Sequence, residues 1–257
     1  MNQTRSTPGA LAGRRVLITG AGRGIGAATA IAAASAGASV AIGCLEYGDE
    51  ARGVVDSLEL LGAPVVALAA DLAVGGEARR LVSEAEAALG PLDALVNNAG
   101  IMPETPFLEI SAEEWDRVIA TDLTASFHTC QAVLPGMVER RSGAIVNISS
   151  RLGQIGWPGV VHYAAAKAGL LGLTKSLARE FGPHGVRVNA VAPGLTVTDM
   201  TTDVAQGESG ARRLAELPAQ RFAQPEDVAA SVIFLLSDAA TMFHGQTLCP
   251  NGGGYMP

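Results

Sequence analysis

Short β-branched or apolar runs alternate along the chain with longer, Ala-rich amphipathic segments. The runs at 15–19, 39–43, 65–68, 94–96, 144–148, 187–191 and 247–249 read as strands. They are apolar with little alternation, the pattern of strands covered on both faces. Segments at 24–36, 49–61, 76–89, 112–140, 161–181 and 225–236 carry the spacing of helices with one apolar face. Gly37, Gly62, Gly90 and Gly182 follow four of these segments, and Pro64, Pro91 and Pro183 come shortly after three, as helix ends require. Strand alternating with helix, at lengths that permit right-handed crossovers, predicts one α/β domain: a seven-stranded parallel sheet with helices on both faces. The domain is expected over 13–257, after a flexible tail at 1–12. The stretch 195–224 breaks the alternation. It is long and polar, holds Gly207, Gly210 and a weak helix at 211–217, and reads as a lid over a site at the strand ends.

Composition narrows the functional classes. Of 257 residues 48% are hydrophobic and 17% charged, which excludes a disordered or collagen-like chain. No apolar run reaches the ~18 residues of a membrane span, and the first fifteen residues lack an apolar leader core. The net charge of -7 argues against a nucleic-acid surface. Cys44, Cys130 and Cys249 are odd in number and lack CxxC spacing, so free thiols in a reducing cytoplasm are expected. His128, His162, His184 and His244 show no HxxxH or HxH pairing, so no metal is assigned.

The first strand runs directly into Thr19-Gly20-Ala21-Gly22-Arg23-Gly24-Ile25-Gly26 and then a helix. Ile25 occupies the third glycine position of a literal GxGxxG; the working spacing is Gly20, Gly24 and Gly26. Gly20 allows a tight turn, Gly24 lets the backbone approach a pyrophosphate, and Gly26 lets the helix close on the sheet. The helix N-terminus offers unpaired N–H groups to an anion.

Tyr163 and Lys167 lie four apart in a helical segment and so share a face. The chain has three tyrosines and 18 basic residues, of which only Lys167 and Lys175 are lysine, so this pairing is rare by chance. The bland alternative is a surface helix with a snorkelling lysine. It leaves unexplained why an arginine-rich chain keeps a compact ammonium here. Using a phenol near neutrality takes ~3–4 kcal/mol of differential stabilisation. One ammonium ~4.5 Å away at effective dielectric ~20 supplies about that. Upstream, Asn147-Ile148-Ser149-Ser150 ends a strand, where a hydroxyl can face the tyrosine and hold a reacting oxygen. The Asn147-Ile148-Ser149 glycosylation pattern is discounted, because it falls in a buried strand.

These residues resemble the short-chain dehydrogenase/reductase family in its single-domain branch, which includes 3-oxoacyl carrier-protein reductases and related alcohol dehydrogenases. The likeness spans nearly the whole chain: TGAGRGIG at 19–26, Asp71-Leu72, NNAG at 97–100, Ser150, YxxxK at 163–167 and RVNAVAPG at 187–194 with Thr198 beyond. It implies a Rossmann-type fold and Tyr163 as general acid/base. It also implies Ser150, 13 residues before the tyrosine, as the oxygen-positioning hydroxyl, and Lys167 on the nicotinamide ribose. Beside the glycine turn (Gly20, Arg23, Gly24, Ile25), the cofactor would meet Asp71 and Leu72 at its adenine. Asn98 and Gly100 would lie along the adenosine ribose, and Pro193, Gly194, Thr196 and Thr198 at the carboxamide. A homotetramer is also implied; the small and apolar residues of 112–140 and 161–181 suit a second buried face.

Two departures stand out. Asp122 occupies the position where the family often has an asparagine serving a proton relay. Cys44 ends the second strand, where NAD-preferring members carry an acid. Without that acid a ribose 2′-phosphate is not repelled, and Arg23 can pair with it, so NADP is favoured over NAD although Glu46 lies close. The resulting expectation is hydride transfer between a nicotinamide and a carbonyl or secondary alcohol. A silent dinucleotide-binding regulator and an epimerase or lyase on the same scaffold are the alternatives; the intact Ser150, Tyr163 and Lys167 speak against the silent form. Arg151, Leu152, Gln154, Trp157, His162, Leu195 and Met200 are expected near the substrate. His162 reads as a solvated neighbour of Tyr163, and no basic patch marks the lid.

Overall fold

A computed structural model describes residues 9–202 and 206–256. Seven strands form one parallel sheet: β1 (Arg15–Thr19), β2 (Ser39–Cys44), β3 (Val65–Ala69), β4 (Ala94–Asn97), β5 (Gly143–Ile148), β6 (Val186–Val191) and β7 (Thr247–Leu248). Their order is β3-β2-β1-β4-β5-β6-β7, all pairs parallel. The order reverses between β1 and β4, so two outward-winding halves leave a crevice at their carboxyl ends.

Helices α1 (Gly24–Ser35) and α2 (Asp49–Leu60) cover one face, together with the last α-helix, at Pro225–Leu236. Helices α3 (Glu77–Leu89), α5 (Ala125–Glu139) and α7 (Val161–Phe181) cover the other. The remaining helices are α4 (Ala112–Ile119), the short α6 (Leu152–Ile155) and α8 (Gly207–Ala215), which makes Pro225–Leu236 helix α9. The alternation of Val, Ile and Ala along each strand sends side chains to both helical layers: Val16 and Ile18 to the first, Leu17 to the second, each 0% exposed. No helix among the described residues is long and apolar enough to cross a membrane.

Three boundaries differ from the sequence reading, each for a local reason. The segment 112–140 is not one helix: a five-residue π-helical turn, Ala120–Thr124, separates α4 from α5. Periodicity cannot register one extra residue in a turn. The lid helix starts at Gly207 rather than 211, and residues 203–205 of the lid lie outside the described residues. Of the expected N-terminal tail, 1–8 lies outside them too. From Gly9 the chain is packed: Leu11 is 1% exposed and its N–H donates to Ala36 O.

Under the crevice runs a buried polar chain. The Asn97 amide donates to Asn147 Oδ1 at 2.8 Å, Asn147 donates to Thr174 Oγ1 at 2.9 Å, and Thr129 donates to Asn97 Oδ1 at 2.6 Å. It ties β4 and β5 to α5 and α7, so both walls of the crevice share one rigid base. Asn147 is 0% exposed and fully engaged, which is incompatible with glycosylation in the folded protein.

Candidate active site

A cleft of about 720 Å³ lies at the carboxyl ends of the strands. Gly20, Arg23, Gly24, Ile25, Cys44, Asp71, Leu72, Asn98 and Gly100 line it toward β2 and β4; Ser150, Tyr163, Lys167, Pro193, Gly194, Thr196 and Thr198 line it toward β5 and β6. Every cofactor-binding position expected from the sequence therefore borders one cavity. The glycine turn is tight. Gly20 sits at φ +63, and a Cβ there would lie 2.8 Å from Ala99 Cα. A Cβ on Gly26 would lie 2.2 Å from Gly20 O. No side chain caps the N-terminus of α1, which leaves its first N–H groups facing the cleft for an anion. A cradle that excludes side chains beside open helix donors fits a dinucleotide pyrophosphate. Gly26→Ala is expected to force this turn open, weakening cofactor binding at least tenfold by fluorescence titration and costing about 1–3 kcal/mol of stability in denaturant unfolding.

Second contacts assign these residues more closely. The Asn98 side chain donates to Thr19 O and Gly20 O, at 3.0 and 2.9 Å, and so braces the glycine turn itself. Thr19 Oγ1 accepts the N–H groups of Asn98 and Ala99, each at 3.0 Å. Asp71 Oδ1 accepts the Ala73 N–H, and its Oδ2 lies 3.3 Å from Arg117 Nη1. Arg117 itself lines the cleft and was missed in the sequence, although Arg117 on α4 and Thr121 in the turn after it, both lining, lie four apart. Cys44 is buried, its thiol pushed up by burial and donating to Leu68 O. Arg23 is exposed at the rim, 3.8 Å from Glu50 and 4.0 Å from Asp199.

The two serines separate. Ser149 Oγ donates to Lys167 O at 2.7 Å and thereby pins β5 to α7. Ser150 Oγ accepts the Leu152 N–H and borders the cleft. Lys167 Nζ donates to Ile148 O at 3.1 Å, and lies 3.2 Å from Asp122 Oδ2 and 5.4 Å from the centre of the Tyr163 ring. Asp122, in the π turn, is 0% exposed, and its Oδ1 accepts the Ile101 N–H at 2.8 Å. Burial works against the charged form of Lys167. The Asp122 carboxylate and the Tyr163 phenol outweigh it and hold the ammonium above its ordinary value. Burial raises the Asp122 carboxyl above the ordinary range, against the pull of Lys167 and the Ile101 N–H. The expectation of a lone ammonium acting on the phenol is thus revised. Lys167 shares its charge with a buried carboxylate, so its net field at Tyr163 is weaker. Asp122 meets the lysine through its side chain.

Expected substrate positions divide as well. Arg151, Leu152, Trp157, Leu195 and Met200 line the cleft. Gln154 does not: its amide faces Cys249 Sγ at 3.7 Å, on the far side of α6. His162 is not solvated. It is 0% exposed and lies 2.8 Å from Glu114 Oε1, joining α7 to α4. The lid is also more basic at this end than expected, because Arg213 on α8 borders the cleft near Arg151.

A phenol, an ammonium and a hydroxyl beside a phosphate cradle can exchange a proton with an oxygen on a carbon facing a bound nicotinamide. The short chain dehydrogenase family model matches residues 14–209. The chain belongs to the short-chain dehydrogenase/reductase family. A 3-oxoacyl-[acyl-carrier-protein] reductase of Staphylococcus aureus is 42% identical over 243 residues, covering 95% of this chain and 98% of the relative. Among solved structures, a Beutenbergia cavernae protein assigned as an NAD(P)-dependent gluconate 5-dehydrogenase, with NADP bound at low occupancy, superposes at TM-score 0.91. It is 40% identical, covering 96% of this chain and 99% of its own. An Agrobacterium tumefaciens protein assigned as a 2-deoxy-D-gluconate 3-dehydrogenase, also with NADP, gives TM-score 0.89 at 36% identity, covering 97% and 99%. Like other members of the short-chain dehydrogenase/reductase family, this chain is an NAD(P)-dependent oxidoreductase with a Rossmann-type sheet.

Proposed function

We propose that Tyr163 is the general acid/base of a hydride transfer between a nicotinamide and a carbonyl or secondary alcohol. The bound cofactor supplies or takes up the hydride. The observation that carries this reading is the convergence of Ser150, Tyr163 and Lys167 on one wall of the cleft, beside the glycine cradle. In reduction, Tyr163 Oη gives its proton to the carbonyl oxygen as that oxygen becomes an alcohol; in oxidation the same atom accepts it. Ser150 Oγ holds the reacting oxygen by a hydrogen bond. Lys167 binds ribose hydroxyls and favours the phenolate, while Asp122 positions Lys167 and moderates its charge. A panel of ketones and alcohols, monitored by absorbance of the reduced cofactor, tests the reading; a chain that binds cofactor but turns over no member of the panel would count against it.

NADP is the preferred cofactor in this reading. Cys44 presents no carboxylate to a 2′-phosphate, and Arg23 stands at the rim. Glu46 and Glu50 border the same end, so the preference rests on Arg23 outcompeting them. The expected result is a higher kcat/KM for NADPH than NADH, with Arg23→Ala lowering only the NADPH value. A cytoplasmic homotetramer completes the proposal, and light scattering checks the tetramer.

Asp122→Asn would keep the acceptor for the Ile101 N–H and remove the negative charge beside Lys167. A unit charge ~10 Å away at effective dielectric ~20 contributes ~1.7 kcal/mol. The unopposed ammonium favours the phenolate, so the acidic limb of kcat/KM for alcohol oxidation is expected to move down by about one pH unit. A limb that stays fixed would show that the Asp122 charge does not reach the reaction.

A further inference from the structure

We infer that the substrate carries a carboxylate, received by Arg151 and Arg213 at the lid side of the cleft; this rests on the oxidoreductase reading above. Arg151 directly follows Ser150, and its N–H donates to Pro193 O, so its position is fixed by the same strand ends that hold the reacting groups. Its Nη1 donates to Gly254 O at 3.2 Å, while its buried Nε has no hydrogen-bond partner. Arg213 reaches over from α8, its guanidinium 4.8 Å from the centre of the Trp157 ring. Both arginines and the tryptophan border the cleft.

Two guanidiniums thus border one cleft, yet among the described residues neither has a carboxylate within salt-bridge distance. In a chain of net charge -7 this is not a generic basic surface. Burial lowers the Arg151 pKa, and the Arg213 charge lowers it further; only Glu216, at the end of α8, acts the other way. An anion between the arginines would relieve their repulsion and satisfy the open donor, which a planar fork does bidentately for a carboxylate. Glu216 offsets part of the positive charge around Arg151, and Asp199 also borders the cleft, which favours a monoanionic carboxylate over a phosphate dianion. Leu152, Leu195 and Met200 also border the cleft and offer apolar surface to the carbon chain between carboxylate and reacting centre. The substrate class is a small oxo or hydroxy acid.

The test compares each of several oxo acids with its methyl ester, its primary amide and a phosphate-bearing counterpart. Wild type is expected to favour acid over ester by at least tenfold in kcat/KM. Arg151→Met and Arg213→Met should each raise KM for the acid about 10–100-fold, more than they lower kcat, and collapse the acid-over-ester ratio toward one. A second readout needs no turnover: in a Trp115→Phe background, propionate added to the cofactor complex should change Trp157 fluorescence, with affinity at least tenfold weaker in either arginine variant. Equal use of acid and ester, a preference for the phosphate-bearing compound, or propionate binding indifferent to both arginines would overturn the inference and leave the oxidoreductase reading standing. Retained turnover in Tyr163→Phe would instead strike at that reading. If no compound in the panel reacts, the propionate titration decides.

Discussion

Tyr163→Phe is expected to lower kcat/KM by a factor on the order of 10²–10⁴, the usual worth of a positioned proton donor, with cofactor affinity within about twofold of wild type. The substitution removes one oxygen and leaves the ring. The ring keeps its place above Lys167, whose ammonium is 5.4 Å from the ring centre, and Lys167 keeps its bonds to Ile148 O and Asp122. Neither the glycine cradle nor the α1 N-terminus is touched. Loss of turnover with intact cofactor binding, read by absorbance assay and by fluorescence titration of the reduced cofactor, therefore isolates the proton step. A phenylalanine variant with near-native turnover would remove Tyr163 from the chemistry.

Lys167→Met should damage stability and turnover together, and a second substitution should separate them. Lys167 is 3% exposed and Asp122 0%. Removing the ammonium strands a carboxylate with only the Ile101 N–H for company, and breaking a buried pair from one side costs about 3–5 kcal/mol. Asp122→Leu added to Lys167→Met removes the stranded charge, so the double variant is expected to regain most of the lost stability in urea unfolding. Its turnover should stay at least 10²-fold down, because no cation remains beside the phenol or the ribose. Recovery of activity along with stability would show that Lys167 matters to the fold alone.

The sheet was legible because its central strands, buried on both faces, are written as largely apolar runs. Val16, Leu17 and Ile18 illustrate this, and all are 0% exposed. The glycine turn and the Tyr163–Lys167 pair were legible because each depends on spacing within a single element. What escaped the sequence depends on contacts between elements. Asp122 meets Lys167 only because a π turn and α7 converge under Gly100, where a Cβ would lie 2.7 Å from Asp122 Oδ2. The burial of His162 requires Glu114 from α4. Arg213 stood beside Arg212 in an ordinary-looking polar stretch, and only the lid's path over the cleft brings it to Trp157. Gln154 sat within four residues of Ser150, but the short helix α6 turns its side chain toward Cys249.

The π turn at Ala120–Thr124 also fixes the relative phase of the two helices it joins. An α-helix advances ~100° per residue, so deleting one residue inside 120–124 would let the segment relax into regular helix while rotating α4 by roughly that angle against α5. Glu114 would swing off His162, Arg117 off Asp71, and the counter-charge of Lys167 off its target, all from one missing residue. Length variation should therefore be tolerated in the loop before α4 and forbidden within these five positions.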